Sequence, residues 1–204
     1  MIDLNKYRNI IFDFDGVILD TNTLKENNIE KTIKKYLSPQ KSKSCLQYFN
    51  SNPGIPREIK LKKHIQNRQI LNHVLDDYNK LNMKSLVDSK FVFGVKDFLK
   101  KWESPNLKFL VLSGADQNEL KFLIEYKKIK RFFNYIGGGP LTKIDHLNNL
   151  KLTGKSIYFG DSKYDNFVAN KFGFDFIFVN GYTSIRKVDL EFDCFKVITN
   201  FDEI

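Results

Sequence analysis

The stretch Asn9-Ile10-Ile11-Phe12-Asp13-Phe14-Asp15-Gly16 decides how the rest of the chain is read. Its apolar run has no polar alternation and ends on acids and a glycine, the pattern of a buried strand that opens into a turn. After Gly94 the same kind of run recurs with helices between. Strands are expected at Phe109–Leu112, Phe132–Ile136, Ser156–Phe159 and Phe176–Val179. Helices are expected at Val95–Trp102, from Asp116 onward with Leu120, Leu123 and Ile124 on one face, at Thr142–Leu150 and at Asp165–Phe172. Apolar strands separated by amphipathic helices predict an α/β fold, a doubly wound parallel sheet covered on both faces.

Residues 21–90 interrupt that series after its first strand. Thr23 with Glu26 reads as a capping box opening a helix to about Leu37, which Ser38-Pro39 stops. A short helix is expected at Cys45–Phe49, a turn-rich loop at Asn52–Pro56, and one long helix or two over 57–87. The chain is therefore divided into a core of residues 1–20 and 91–204 and an inserted all-helical cap of residues 21–90.

The net charge of +9 lies almost wholly in that insertion, which holds 14 Lys/Arg against 6 Asp/Glu; the remainder holds 19 against 18. A basic element of this kind is either a solvated lysine face or an attractor of anionic ligands. With 204 residues, 42% apolar and 14% aromatic, the chain can bury a core, which excludes disordered and fibrous classes. No apolar run approaches the ~18 residues of a membrane span. The first residues lack the order of a signal peptide, and Cys45 and Cys194 fit neither a metal knuckle nor a disulfide framework. A cytoplasmic location is expected, with no membrane partner.

In a doubly wound sheet, ligands bind beyond the carboxyl ends of the strands. There the sequence delivers Asp13 and Asp15, then Ser113-Gly114, then Gly137-Gly138-Gly139 with Lys143, then Gly160-Asp161 with Asp165. Converging carboxylates repel unless a cation sits among them, and an all-oxygen donor set selects a hard one, with Mg²⁺ the default. Mg²⁺ beside a lysine, a hydroxyl and glycine N–H groups is a place for a phosphate. Thr142 reads as an N-cap with Asp145 at the third helical position, so Lys143 opposes the helix dipole unless an anion lies there. One aspartate can then attack phosphorus, and a second two residues on can protonate the leaving oxygen.

Phe12-Asp13-Phe14-Asp15-Gly16-Val17 resembles the first motif of the haloacid dehalogenase-like superfamily of phosphotransferases. Leu112-Ser113-Gly114 resembles its second motif, Lys143 its third and Gly160-Asp161-Ser162-Lys163-Tyr164-Asp165 its fourth. The resemblance covers nearly the whole chain and implies a Rossmann-like core, with the insertion similar to the family's mobile cap. It implies Asp13 as nucleophile, Asp15 as general acid/base, and Ser113 and Gly114 holding the phosphate. Mg²⁺ would be held by Asp13, the backbone carbonyl of Asp15 and Asp161, with Asp165 supporting the metal shell or the lysine. Because both acids of the first motif are present, the phosphatase and phosphomutase branches are implied over the dehalogenases. The separation of 18 residues between Lys143 and Asp161 is short for the family and leaves Lys155 as a second candidate lysine.

The loop ending in Pro56-Arg57 resembles the family's substrate-specificity loop. Arg57 is either a clamp for a substrate hydroxyl, carboxylate or second phosphate, or a solvated side chain. Lys60, Lys62 and Lys63 read as a solvated helix face, and His64, His73 and His146 as surface or helix-packing residues away from the strand ends. The expected activity is Mg²⁺-dependent hydrolysis of a small anionic phosphorylated metabolite, a sugar or polyol phosphate. A phosphosugar mutase, or a nucleic-acid-end phosphatase or binding module using the basic cap, are the alternatives. The insertion shows no nucleic-acid fold signature, so nucleic acid is not the expected partner. The oligomeric state is left open.

Overall fold

A computed structural model describes residues 2–183 and 192–204. Among these residues six parallel strands form one sheet: β1 (Asn9–Phe12), β2 (Lys108–Asp116), β3 (Tyr135–Gly139), β4 (Ser156–Gly160), β5 (Asp175–Val179) and β6 (Lys196–Ile198), in the order 3-2-1-4-5-6. β1 lies at the centre with all four residues buried, which is why it reads as an unbroken apolar run.

Side chains alternate across each strand, and the two faces collect different helices. Ile10, Phe12, Phe109, Val111 and Ile157 pack with α5 (Val95–Lys101) and α6 (Gln117–Tyr126). Ile11, Leu110, Leu112 and Tyr158 pack with α7 (Lys143–Leu150) and α8 (Lys163–Lys171). The fold is thus a doubly wound, Rossmann-like α/β sheet. In-register pairing of Phe12 with Val111 and Phe159 brings the carboxyl ends of β1, β2 and β4 to one edge. That alignment positions the site.

The insertion forms four helices: α1 (Asn22–Tyr36), α2 (Pro39–Asn50), α3 (Arg57–Lys62) and α4 (Arg68–Ser85). They share their own apolar cluster, including Ile29, Ile33, Cys45, Phe49, Leu61 and Tyr78. The stretch 57–87 is thus two helices and a final turn. Asn67 divides them by accepting hydrogen bonds from Gln69 N–H and Ile70 N–H.

Several boundaries depart from the sequence pattern. α2 begins at Pro39 rather than near Cys45, because proline at the first helical position gives up an N–H that has no helical partner anyway. α1 begins at Asn22, without the Thr23–Glu26 box. β3 lies at Tyr135–Gly139 rather than Phe132–Ile136, since residues Lys130–Phe132 form a 3₁₀ turn. β6 has no counterpart among the expected strands. Among the described residues no helix is long and apolar enough to cross a membrane.

Candidate active site

β1 delivers Asp13 to the carboxyl edge, where its N–H donates to Phe159 O at 2.8 Å and the residue is 4% exposed. The chain then turns sharply through Gly16, whose φ of +75° favours glycine. A Cβ at Gly16 would also overlap Asp161 Oδ2 and Asn22 Nδ2, so the glycine lets β1's loop approach β4's. Asp15 is held from the helical segment. Thr21 Oγ1 donates to it at 2.5 Å, and Lys25 Nζ lies 2.6 Å away. With Thr21 so engaged, α1 has no side-chain N-cap.

Lys143 opens α7 behind a reciprocal capping box between Thr142 and Asp145, as the sequence predicts. Its side chain is 1% exposed, and its Nζ lies 2.8 Å from Asp13 Oδ1 and pairs with Asp165. Burial alone would discharge it, but Asp13 and Asp165 raise its pKa well above the ordinary lysine value. Asp165 also accepts from Tyr158 OH at 2.9 Å and from Ser162 Oγ, so both of its oxygens are engaged. That arrangement makes Asp165 the anchor of Lys143. Lys155, the second candidate lysine, is remote: it precedes β4 and pairs with Asp175 at 2.7 Å.

Asp161 accepts from Asn22 Nδ2 at 2.7 Å. Asp13, Asp161 and Asp165 are buried, and each offers an oxygen within 4.8 Å of the others. Burial, followed by neighbouring carboxylates, raises Asp161 well above the usual range. Burial likewise pushes Asp13 up to about 7 despite Lys143. Three carboxylates against one ammonium leave a deficit of positive charge, and a divalent cation bound by oxygen ligands fits such a place.

Ser113 lies within β2 rather than beyond its end. It is buried, and its Oγ accepts from Ala115 N–H at 3.0 Å. Gly114 and Ala115 line the cavity instead. A Cβ at Gly114 would sit 2.6 Å from Gly54 O, so the bare glycine lets the loop between α2 and α3 seat on β2.

Above the carboxylates the helical segment supplies Lys25, Arg57 and Lys60, which with Asp13, Asp15 and Asp161 line a cavity of about 100 Å³. Arg57 is neither solvated nor available as a simple clamp. Its two terminal nitrogens donate to Glu119 at 2.7 and 2.9 Å, and one also donates to Asn79. Its guanidinium lies 4.6 Å from the Tyr78 ring centre. Lys60 corrects the expected solvated face: it is buried, whereas Lys62 and Lys63 are exposed. His146 is buried between Gly138 O and Tyr135 OH, so it packs at a strand end. His73 is exposed and His64 half-buried.

Sequence reasoning missed Glu119, Lys25, Asn22 and Tyr158. Glu119 reads as a first-turn acid of α6, yet its carboxylate leaves that helix for Arg57, Lys25 and Asn82. Lys25 had a usable signal. It stands near the start of α1, whose first turn has no acid, so it opposes the dipole as Lys143 does.

A haloacid dehalogenase-like hydrolase model matches residues 10–179. The chain belongs to that family. This hydrolase carries both Asp13 and Asp15 where β1 opens into its turn. No curated protein matches the chain. Solved structures share its fold at low identity. A predicted phosphatase from Clostridium acetobutylicum is 20% identical, with TM-score 0.75 and 97% of this chain and 95% of that chain covered. A predicted phosphoglycolate phosphatase from Haemophilus somnus is 15% identical, with TM-score 0.75 and coverage of 98% and 97%. CbbY from Rhodobacter sphaeroides in complex with phosphate is 14% identical, with TM-score 0.70 and coverage of 97% and 96%.

Proposed function

We propose that this hydrolase is a Mg²⁺-dependent phosphatase of a small phosphorylated metabolite, working through an aspartyl-phosphate on Asp13. The observation that carries the reading is the meeting of Asp13, Lys143, Asp161 and Asp165 at one buried point beneath a cavity shared with Asp15. The fold likeness to CbbY, whose structure holds phosphate, supports the same substrate chemistry. A sugar or polyol phosphate fits the expectation from the loop that ends in Arg57, and the small cavity favours a metabolite over a polymer end.

In this mechanism a carboxylate oxygen of Asp13 bonds to phosphorus as the ester P–O bond breaks. Asp15 protonates the departing oxygen, then takes a proton from the water that cleaves the aspartyl-phosphate. Thr21 and Lys25 fix the orientation of Asp15. Lys143, anchored by Asp165, orients Asp13 and offsets charge on the phosphoryl oxygens. Asp13 and Asp161, with the Asp15 backbone carbonyl, would hold Mg²⁺, which supplies Lewis-acid stabilisation of phosphoryl charge when bound. The four helices of residues 22–85 would act as the cap that excludes water and sets the substrate.

The test is phosphate release from a panel of phosphorylated metabolites with Mg²⁺. Asp13→Asn should lower turnover by at least about a thousandfold while the fold survives, because no other group replaces the nucleophile. Undiminished release by a folded Asp13→Asn protein would refute the assignment. Isomerised product in place of free phosphate from a sugar 1-phosphate would assign the chain to mutase chemistry instead.

A further inference from the structure

A buried cation without an anion stands in the cavity wall. Lys60, one helical turn beyond Arg57 on α3, is 6% exposed. Its Nζ donates to Phe49 O at 3.1 Å and lies 3.6 Å from the centre of the Phe49 ring. Among the described residues no carboxylate lies within ion-pair distance of it. The other charges at this junction close among themselves. Glu119 pairs with Arg57 and Lys25, and Lys25 also pairs with Asp15, giving two anions against two cations. Among the described residues Lys60 is the cation of this wall that no carboxylate pairs.

A buried ammonium is costly unless an anion accompanies it. Consistent with that, burial, then Arg57 and Lys25, pull its pKa down to about 7. The contact with Phe49 O, in the last turn of α2, uses one of three N–H donors and leaves the others for a ligand. Lys60 shares its cavity with Asp13, so one small molecule can reach both.

We propose that Lys60 is a specificity-determining residue that receives a second anionic group of the substrate, a carboxylate or a second phosphate, at the end remote from Asp13. Among sugar and polyol phosphates the substrate is then one with a second anionic group, a phosphorylated acid or a bisphosphate, rather than one with a neutral tail. This deepens the phosphatase reading, which supplies the end that sits at Asp13. Arg57 is locked by Glu119 and is the neighbour of this subsite, not its acceptor.

The experiment measures binding of non-hydrolysable phosphonates to the full chain with Mg²⁺ by calorimetry. One series carries a terminal carboxylate on one to three methylenes, a second carries a terminal phosphonate, and a third has alkyl ends of equal length. At least one doubly anionic compound should bind about ten- to a hundredfold tighter than its alkyl counterpart, the range of a hydrogen bond between charged groups. Lys60→Met should bring that ratio near one, and Lys60→Arg should restore part of it. Which anionic series is preferred identifies the tail. Equal binding of all series by the wild-type protein, or an unchanged ratio in folded Lys60→Met, overturns the proposal. A lysine that merely caps α2 would alter melting temperature and leave the ratio untouched. Hydrolysis of a generic aryl phosphate, run in parallel, tests the phosphatase reading separately, since ligand preference is measured without turnover.

Discussion

Glu119→Gln removes the only anion that the Arg57 guanidinium contacts among the described residues. In the native protein Glu119 is 1% exposed and accepts from Arg57 twice, from Lys25 at 2.9 Å and from Asn82 at 3.0 Å. Glutamine keeps the volume but turns a neutral quartet into one with a net positive charge. Lys25 retains Asp15; Arg57 retains only Asn79 and the Tyr78 ring. Breaking one side of a buried pair costs about 3–5 kcal/mol, because the surviving charge stays desolvated. For a chain of this size each kcal/mol lowers Tm by roughly 2–4 °C, so a fall of about 6–20 °C is expected. The loss saturates at the free energy that docks the helical segment, since Glu119 lies on α6 and its three partners lie on α1, α3 and α4. Denaturant unfolding should therefore be combined with hydrogen exchange of α4, which reports undocking that falls short of global unfolding. The pH dependence has a definite sign. Against the penalty of burial, Arg57 and then Lys25 hold the Glu119 carboxyl far below its ordinary 4.5. Its stabilisation is thus present above about pH 4.5 and lost as pH falls toward the depressed native value, and Glu119→Gln should flatten that acid limb. A loss under about 1 kcal/mol with unchanged exchange of α4 would refute the reasoning.

Mg²⁺ should stabilise the protein by about 2.7 kcal/mol at a hundredfold excess over Kd, and much less in Asp161→Asn. The increment should grow between about pH 5 and pH 8. Burial raises the Asp13 and Asp161 carboxyls, so without metal their contribution to stability is present at low pH and fades as pH rises from the unfolded 3.8 through about 7. The cation competes with those protons, and equal increments at both pH values in thermal melts would contradict this. Gly16→Ala should cost roughly 1–3 kcal/mol, because φ is +75° and the new methyl group would overlap Asp161 and Asn22. It should weaken Mg²⁺ binding as well; a calorimetric Kd equal to wild type would show that the Asp161 loop tolerates the methyl group.

The legible parts of this protein are those governed by local rules. β1 could be read because a strand buried on both faces must be apolar throughout. The Thr142–Asp145 box could be read because its partners are three residues apart. From the strand ends, Asp13, Lys143, Asp161 and Asp165 could be nominated as neighbours before any coordinates. Thr23–Glu26 satisfied the same capping rule and failed, because α1 already starts at Asn22, with Thr21 at the cap position and its hydroxyl on Asp15. Such competition is invisible along the chain.

Glu119 and Lys60 mark where sequence reasoning stops. A glutamate in a helix's first turn and a lysine three residues after an arginine each have an ordinary solvated reading. What overrode it was the docking of four helices onto the carboxyl edge of the sheet, across separations of 62 residues for Arg57–Glu119 and 37 for Asn82–Glu119. Local chemistry along the chain determined the central strands, the motifs and the choice of Asp13, Asp15, Asp161 and Asp165. Tertiary structure alone decided which cations are cancelled and which is left over, because the charge balance of a buried point depends on every segment that meets there.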